Sequence, residues 1–164
     1  MEYSKRKAFT MIELTFVIVV IGILAAIALP RFGDSAESAY LSKAQSELMA
    51  VRSALSTERQ KRILRGDTTA ITSLSCTSNS CPTTPVYAFD HFSADEDGNY
   101  TAVINYPVKV CASGQTACWK VGTSNGKITY SYQFPKNGEA VFVLDKNRLD
   151  CKEGDEDDCE KITR

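Results

Sequence analysis

The residues able to do chemistry in this chain are few. One histidine, His91, follows Asp90, six cysteines occupy positions 76, 81, 111, 118, 151 and 159, and carboxylates crowd the stretch from Asp150 to Glu160. Any Ser-His-Asp or Cys-His device must run through His91, whose setting reads as a surface or turn position. Neither H-E-x-x-H, C-x-x-C nor a phosphate-cradling glycine loop occurs. No enzyme is expected.

The cysteines suit disulfides better than metal, because the isolated C-x4-C of Cys76 and Cys81 has no second matching pair to complete a zinc site. Many pairings are open to Cys76, Cys81, Cys111, Cys118, Cys151 and Cys159. Sequence neighbours are the natural partners: Cys76 with Cys81, Cys111 with Cys118, Cys151 with Cys159. In the acidic stretch, Asp150, Glu153, Asp155, Glu156, Asp157, Asp158 and Glu160 stand against Lys152 alone. Such oxygen density suits calcium, with Asp155, Asp157 and Asp158 as candidate ligands. No EF-hand spacing is present, and a solvated acidic loop clipped by Cys151 and Cys159 is the preferred reading. Asp95-Glu96-Asp97-Gly98-Asn99 is likewise too short and reads as a turn. No other cofactor is expected.

One more carboxylate lies where it is costly. From Phe9 to Leu29 the chain carries one charge, Glu13, and a helix rising about 1.5 Å per residue over that run covers the roughly 30 Å core of a bilayer. Lys5, Arg6 and Lys7 precede it and hold that end on the cytoplasmic side, so the bulk of the chain is exported to where disulfides persist. Ala25, Ala26 and Ala28 offer something like a signal-peptidase site, but the helical pattern continues beyond them. A charge within a membrane helix costs about 2.5–3.5 kcal/mol on insertion scales and tends to be retained for a partner. Snorkelling to the nearby face is the plainer account of Glu13.

The basic leader, a small residue, then Phe9-Thr10-Met11-Ile12-Glu13-Leu14 and an apolar run ending near Pro30 resemble the N-terminus of the type IV pilin and type II secretion pseudopilin family. The resemblance implies that a prepilin peptidase cuts between Ala8 and Phe9 and methylates the new amine. Ala8 departs from the glycine usual at that place. It further implies that Glu13 pairs with the Phe9 amine of a neighbouring subunit, relieving a buried charge. Gly22, with Ala25, Ala26 and Ala28, forms a small-residue patch that lets helices approach closely. Some major pseudopilins of that family carry calcium in their C-terminal region, and a C-terminal disulfide loop would face outward from a filament.

The remaining elements follow from patterning. Pro30 is expected to bend the helix, which may restart at Asp34 with Glu37 three residues on. Leu41, Ala44, Leu48, Val51 and Leu55 define one apolar face of the amphipathic half, residues 31–66. Arg59, Lys61, Arg62 and Arg65 then close the helix before Gly66 and read as a solvated basic face. Residues 67–99 read as a loop region. Strands are expected at Tyr100 to Val110, limited by Pro107 to an edge or bulge, at Trp119 to Val121, at Ile128 to Phe134 and at Ala140 to Leu144, with an acidic C-terminal loop over 146–164. Asn125-Gly126 and Asn137-Gly138 mark turns. The expected fold is α+β and pilin-like: a long spine helix, its first half (9–30) membrane-spanning, packed on a four-stranded antiparallel meander with disulfide-stapled loops.

Formal net charge is −1, and removing residues 1–8 with Glu2, Lys5, Arg6 and Lys7 takes it to −1 − 2 = −3. A mildly acidic exported chain is not expected to bind nucleic acid directly. The expected role is a structural subunit of a type IV pilus or type II secretion pseudopilus. It is inserted in the bacterial inner membrane, processed, and polymerised with itself or other pilin-like subunits on an inner-membrane assembly platform. A minor subunit with a binding role in adhesion, or in DNA uptake and competence, is the alternative. A membrane-anchored domain that never polymerises is a more distant one.

Overall fold

The computed structural model describes residues 9–75 and 86–163, and of residues 29–35 the backbone alone. The leader with Ala8, the pair Cys76 and Cys81, and the side chain of Pro30 lie outside the described residues. The chain divides between Ser38 and Ala39 into two compact units.

Helix α1, Met11–Leu64, contributes to both units. Its start is set by Thr10: the Thr10 carbonyl accepts the Leu14 amide at 3.2 Å and the Thr10 hydroxyl oxygen accepts the Glu13 amide at 3.3 Å. The first is the opening intrahelical bond, and the second satisfies one of the otherwise orphaned amides at a helix start. The helix continues through Pro30 and Gly33 without restarting at Asp34. It stops at Gly66, whose φ of 85° turns the chain, and the Asp67 amide folds back onto the Arg62 carbonyl at 2.9 Å.

In the second unit the predicted stripe forms the core. Ala44, Leu48, Val51 and Leu55 are buried and Leu41 packs at its margin. Facing them is a four-stranded antiparallel sheet in the order β1 (Cys118–Ser124), β2 (Lys127–Gln133), β3 (Glu139–Asp145), β4 (Arg148–Cys151). Trp119, Tyr130, Tyr132, Phe142, Leu144 and Leu149 supply its buried face. Phe89 sits against both Trp119 and Tyr130 with ring centroids 5.1 Å apart in each case. The polar tips of the large side chains are tied as well: Trp119 Nε1 donates to Glu47 at 2.8 Å, and the Tyr132 hydroxyl donates to the Tyr40 carbonyl at 3.2 Å. Burial, with Glu47 and Tyr40 adding to it, pushes the Tyr132 hydroxyl up to about 12.

The meander has the expected number of strands but a different membership. Residues 100–110 make no sheet strand; their backbone pairs with the rest of the chain through isolated bridges, His91 to Ala102, Tyr87 to Lys109 and Val110 to Trp119. Pro107 lacks a ladder donor, and the alternation fails to select a face: Val103 is buried while Tyr106 is 90 % exposed. The fourth strand is β4 instead, joined to β3 by Lys146 and Asn147, both at positive φ (48° and 61°). Asparagine tolerates that conformation, but without glycine the pair gives no clear turn signal. Asn125-Gly126 makes the expected turn between β1 and β2. The C-terminal acidic stretch is not a loop throughout, because Glu156–Thr163 forms helix α2 and buries Cys159 and Ile162.

The basic end of α1 is not a solvated face. Buried positions continue the stripe at the same spacing through Glu58 (3 % exposed) to Arg62 (0 % exposed). Arg62 Nε donates to Glu58 Oε1 at 3.1 Å and its Nη2 to the Ser93 carbonyl at 2.6 Å, with Thr69 and the Ala94 carbonyl at 3.4 Å. Glu58 also accepts the Thr101 hydroxyl at 3.1 Å. Arg65 reaches Asp95 at 3.5 Å, and Arg59 donates to the Thr69 carbonyl at 3.1 Å; Lys61 is exposed. Two irregular segments, 67–75 and 92–101, are fastened to the helix by this network. Asp67 caps one of them, taking the Thr69 hydroxyl at 2.6 Å and the Thr69 amide at 2.7 Å.

Removing one partner of a buried ion pair strands the other, at about 3–5 kcal/mol. Arg62→Met is therefore expected to cost that much in urea unfolding of the detergent-solubilised chain. Adding Glu58→Gln should recover part of the loss, giving a double-mutant coupling above about 1 kcal/mol. Hydrogen bonds from Thr69, side chain first and amide second, hold the Asp67 carboxyl below its ordinary value, as the Lys127 ammonium does for Asp145. A lowered folded value means stability present in full above the unfolded carboxyl range near about pH 4 and lost as pH falls through the folded value. The urea midpoint should accordingly fall below about pH 4. That fall should be smaller in Asp67→Asn, measured at pH 6 and pH 3.

Candidate functional site

The first unit presents its side chains outward. Phe9 is 79 % exposed, and the span Met11–Ala28 has a mean hydropathy of 2.7 with none of it buried. A helix apolar on every side needs a covering on every side, which lipid or other apolar helices supply. Glu13 lies in the first turn, three residues after the capping Thr10, where the positive end of the helix dipole favours a carboxylate. A Cβ built on Gly22 meets nothing within 4 Å. With Ala26 one turn on and Ala25 beside it, Gly22 leaves a low-relief strip along which a second backbone can approach. The motif reading overlooked Thr10 as the cap, although Thr10-x-x-Glu13 has the spacing of a capping box.

In the second unit the cysteines that are described pair as sequence neighbours, Cys111 with Cys118 and Cys151 with Cys159, at Cα separations of 5.5 and 6.0 Å. The first bond closes the loop ahead of β1, where the Cys111 amide also donates to the Trp119 carbonyl at 2.8 Å. The second ties the end of β4 to α2. The candidate calcium ligands are spread along the start of α2. Asp158 pairs with Lys161, the Asp155 carbonyl accepts the Cys159 amide, and Asp157 is exposed. Glu156 is held below its ordinary value by its own amide and that of Gly154. Among the described residues no three His, Cys, Asp or Glu side chains are grouped to hold a metal ion. His91 is half-exposed, with its amide bonded to Asp90 Oδ1 at 2.8 Å and its Nδ1 3.6 Å from Asp90 Oδ2.

Comparison with known proteins places these features. The family model described as the prokaryotic N-terminal methylation motif matches residues 3–29. The chain is similar to the type IV major fimbrial protein FimA of Dichelobacter nodosus, 30 % identical over 153 residues, which cover 82 % of this chain and 96 % of that protein. It is also similar to the type IV narrow pilus major component PilA5 of Thermus thermophilus, 52 % identical over 50 residues, covering 30 % of this chain and 43 % of that one. A fimbrial protein of Pseudomonas aeruginosa is 44 % identical over 61 residues, 37 % of each chain. No solved structure matches. The short, high-identity matches beside one that runs nearly end to end, together with a fully exposed apolar helix leading into a helix-on-sheet head, show that the chain belongs to the type IV pilin family.

Proposed function

We propose that this chain is a structural subunit of a type IV pilus filament, assembled by packing its apolar helices together. The observation that carries the reading is the span Met11–Ala28, apolar and exposed all round. A chain so built is stable in a bilayer before assembly and in a bundle of its own kind afterwards. Relatives that are major fimbrial and pilus components support a structural rather than a catalytic role.

Processing fits the same reading. Cleavage between Ala8 and Phe9 by a prepilin peptidase removes the basic leader and places a new amine four residues before Glu13. Once the helices leave the membrane, a carboxylate between packed apolar helices needs a cation, and the Phe9 amine of a neighbouring subunit supplies it. A pair of this kind favours one stagger between helices, because any other leaves both charges unpaired. The N-terminus lies in the cytoplasm and the head beyond the inner membrane, which is where the disulfides form.

Intact-mass and N-terminal analysis of the protein from its own cells should find a chain beginning at methylated Phe9; one still beginning at Met1 would overturn the processing step. Glu13→Ala should leave the subunit in the membrane at its usual level while sheared filament falls at least about tenfold, since an unpaired buried amine is strongly unfavourable. Filaments of normal yield from Glu13→Ala would remove the pairing from the mechanism.

A further inference from the structure

The second unit carries an open cavity of about 480 Å³ between α1 and the start of β4. Arg52, Arg59 and Arg148 line it, with Gln60 and Asn147. Only Arg148 meets an acid there, Asp150 at 3.1 Å. Arg52 donates through Nε to the Leu149 carbonyl at 3.0 Å, and Arg59 through Nη1 to the Thr69 carbonyl at 3.1 Å. Neither makes an ion pair among the described residues. Two half-buried guanidiniums are thus anchored by one donor each, with further donors left for an anion.

The complementary charge is present on the same chain at another place. Glu153 and Asp157 are exposed and make no ion pair among the described residues. They stand around the start of α2, which packs near the beginning of β3: Asp158 lies beside Gly138, and Cys159 Sγ contacts the Val141 carbonyl at 3.4 Å. The basic cavity lies toward the turn of the β3–β4 hairpin, where Arg148 stands opposite Asp145 in register; Glu153 borders a separate surface with Lys127, Asp145 and Asp150. Complementary patches at two distinct places on one unit match between copies in a head-to-tail sense, and repeating such a contact without closure yields a filament.

We propose that the cavity formed by Arg52, Arg59 and Arg148 receives the acidic segment Glu153–Asp157 of a second copy of this chain, as a lateral contact between heads. The inference rests on the filament reading given above and names the head surfaces that helix packing does not use. Because the contact is exposed and charged, it weakens as salt rises.

A charge exchange on the full-length chain, in cells that assemble it, tests the contact without touching the arginines that also hold the fold. Glu153→Lys with Asp157→Lys should lower the yield of sheared filament at least about tenfold by placing cations against guanidiniums. Ser56→Glu with Gln60→Glu, at exposed helix positions lining the cavity, should do the same from the other side, and the four changes together should restore filaments. Membrane-level and disulfide content of each variant report folding. A photo-crosslinker at Gln60 in wild-type filaments should yield a peptide from the 152–160 segment of another copy. Filaments unaffected by Glu153→Lys with Asp157→Lys, failure of the combined variant to restore them, or crosslinks to other segments would overturn the head contact and leave the filament reading standing. A wild-type chain that forms no filament would overturn both.

Discussion

One helix in this protein answers to two environments, and every other feature follows from where the change falls. Over Met11–Ala28 its surface is apolar in all directions and finds no cover among the described residues. From Ala44 onward the apolar residues narrow to a single stripe, which a sheet covers. The first half must bury itself against lipid or other copies, whereas the second half is satisfied within the molecule. A subunit with one self-sufficient unit and one that needs neighbours is suited to assembly.

The stripe does not end where its hydrophobicity ends. Glu58 and Arg62 occupy the next two places at the same three-and-four spacing and are as buried as the leucines before them. An apolar pair there would leave the carbonyls of Ser93 and Ala94 and the hydroxyls of Thr69 and Thr101 without helix partners. The charged pair converts the last two turns of α1 into a clamp for segments that lack regular structure. Directional bonds there act beside packing, since Ile71, Leu74 and Phe92 of the same segments are buried in the core.

Staples complement the clamp. Cys111–Cys118 fixes the approach to β1 and Cys151–Cys159 fixes α2 to the end of the sheet. Both close short loops at the margins of a small core, where side-chain burial alone gives modest stability. Charge is left over at two places on the head, the arginine-lined cavity and the acidic start of α2, and both adjoin elements that hold the fold together.

Several parts of this arrangement were legible in the residues alone. An apolar run with one early carboxylate, a basic leader and the Phe9 junction specify the helix and its family, because each residue type there has a local physical meaning. The Leu48 stripe, the Asn125-Gly126 turn and the neighbour pairing of Cys111 and Cys118 are likewise local. Tertiary structure decided what depends on contacts distant in sequence. Residues 100–110 alternate like a strand, yet no neighbouring strand takes up their ladder, and Arg148–Cys151 joins the sheet instead across a Lys146-Asn147 turn that contains no glycine. Arg62 looks like a solvated cation because its partners include the carbonyls of Ser93 and Ala94, some thirty residues away. A charge reveals its environment only once the chain has folded around it, whereas an apolar period announces its face in the sequence itself.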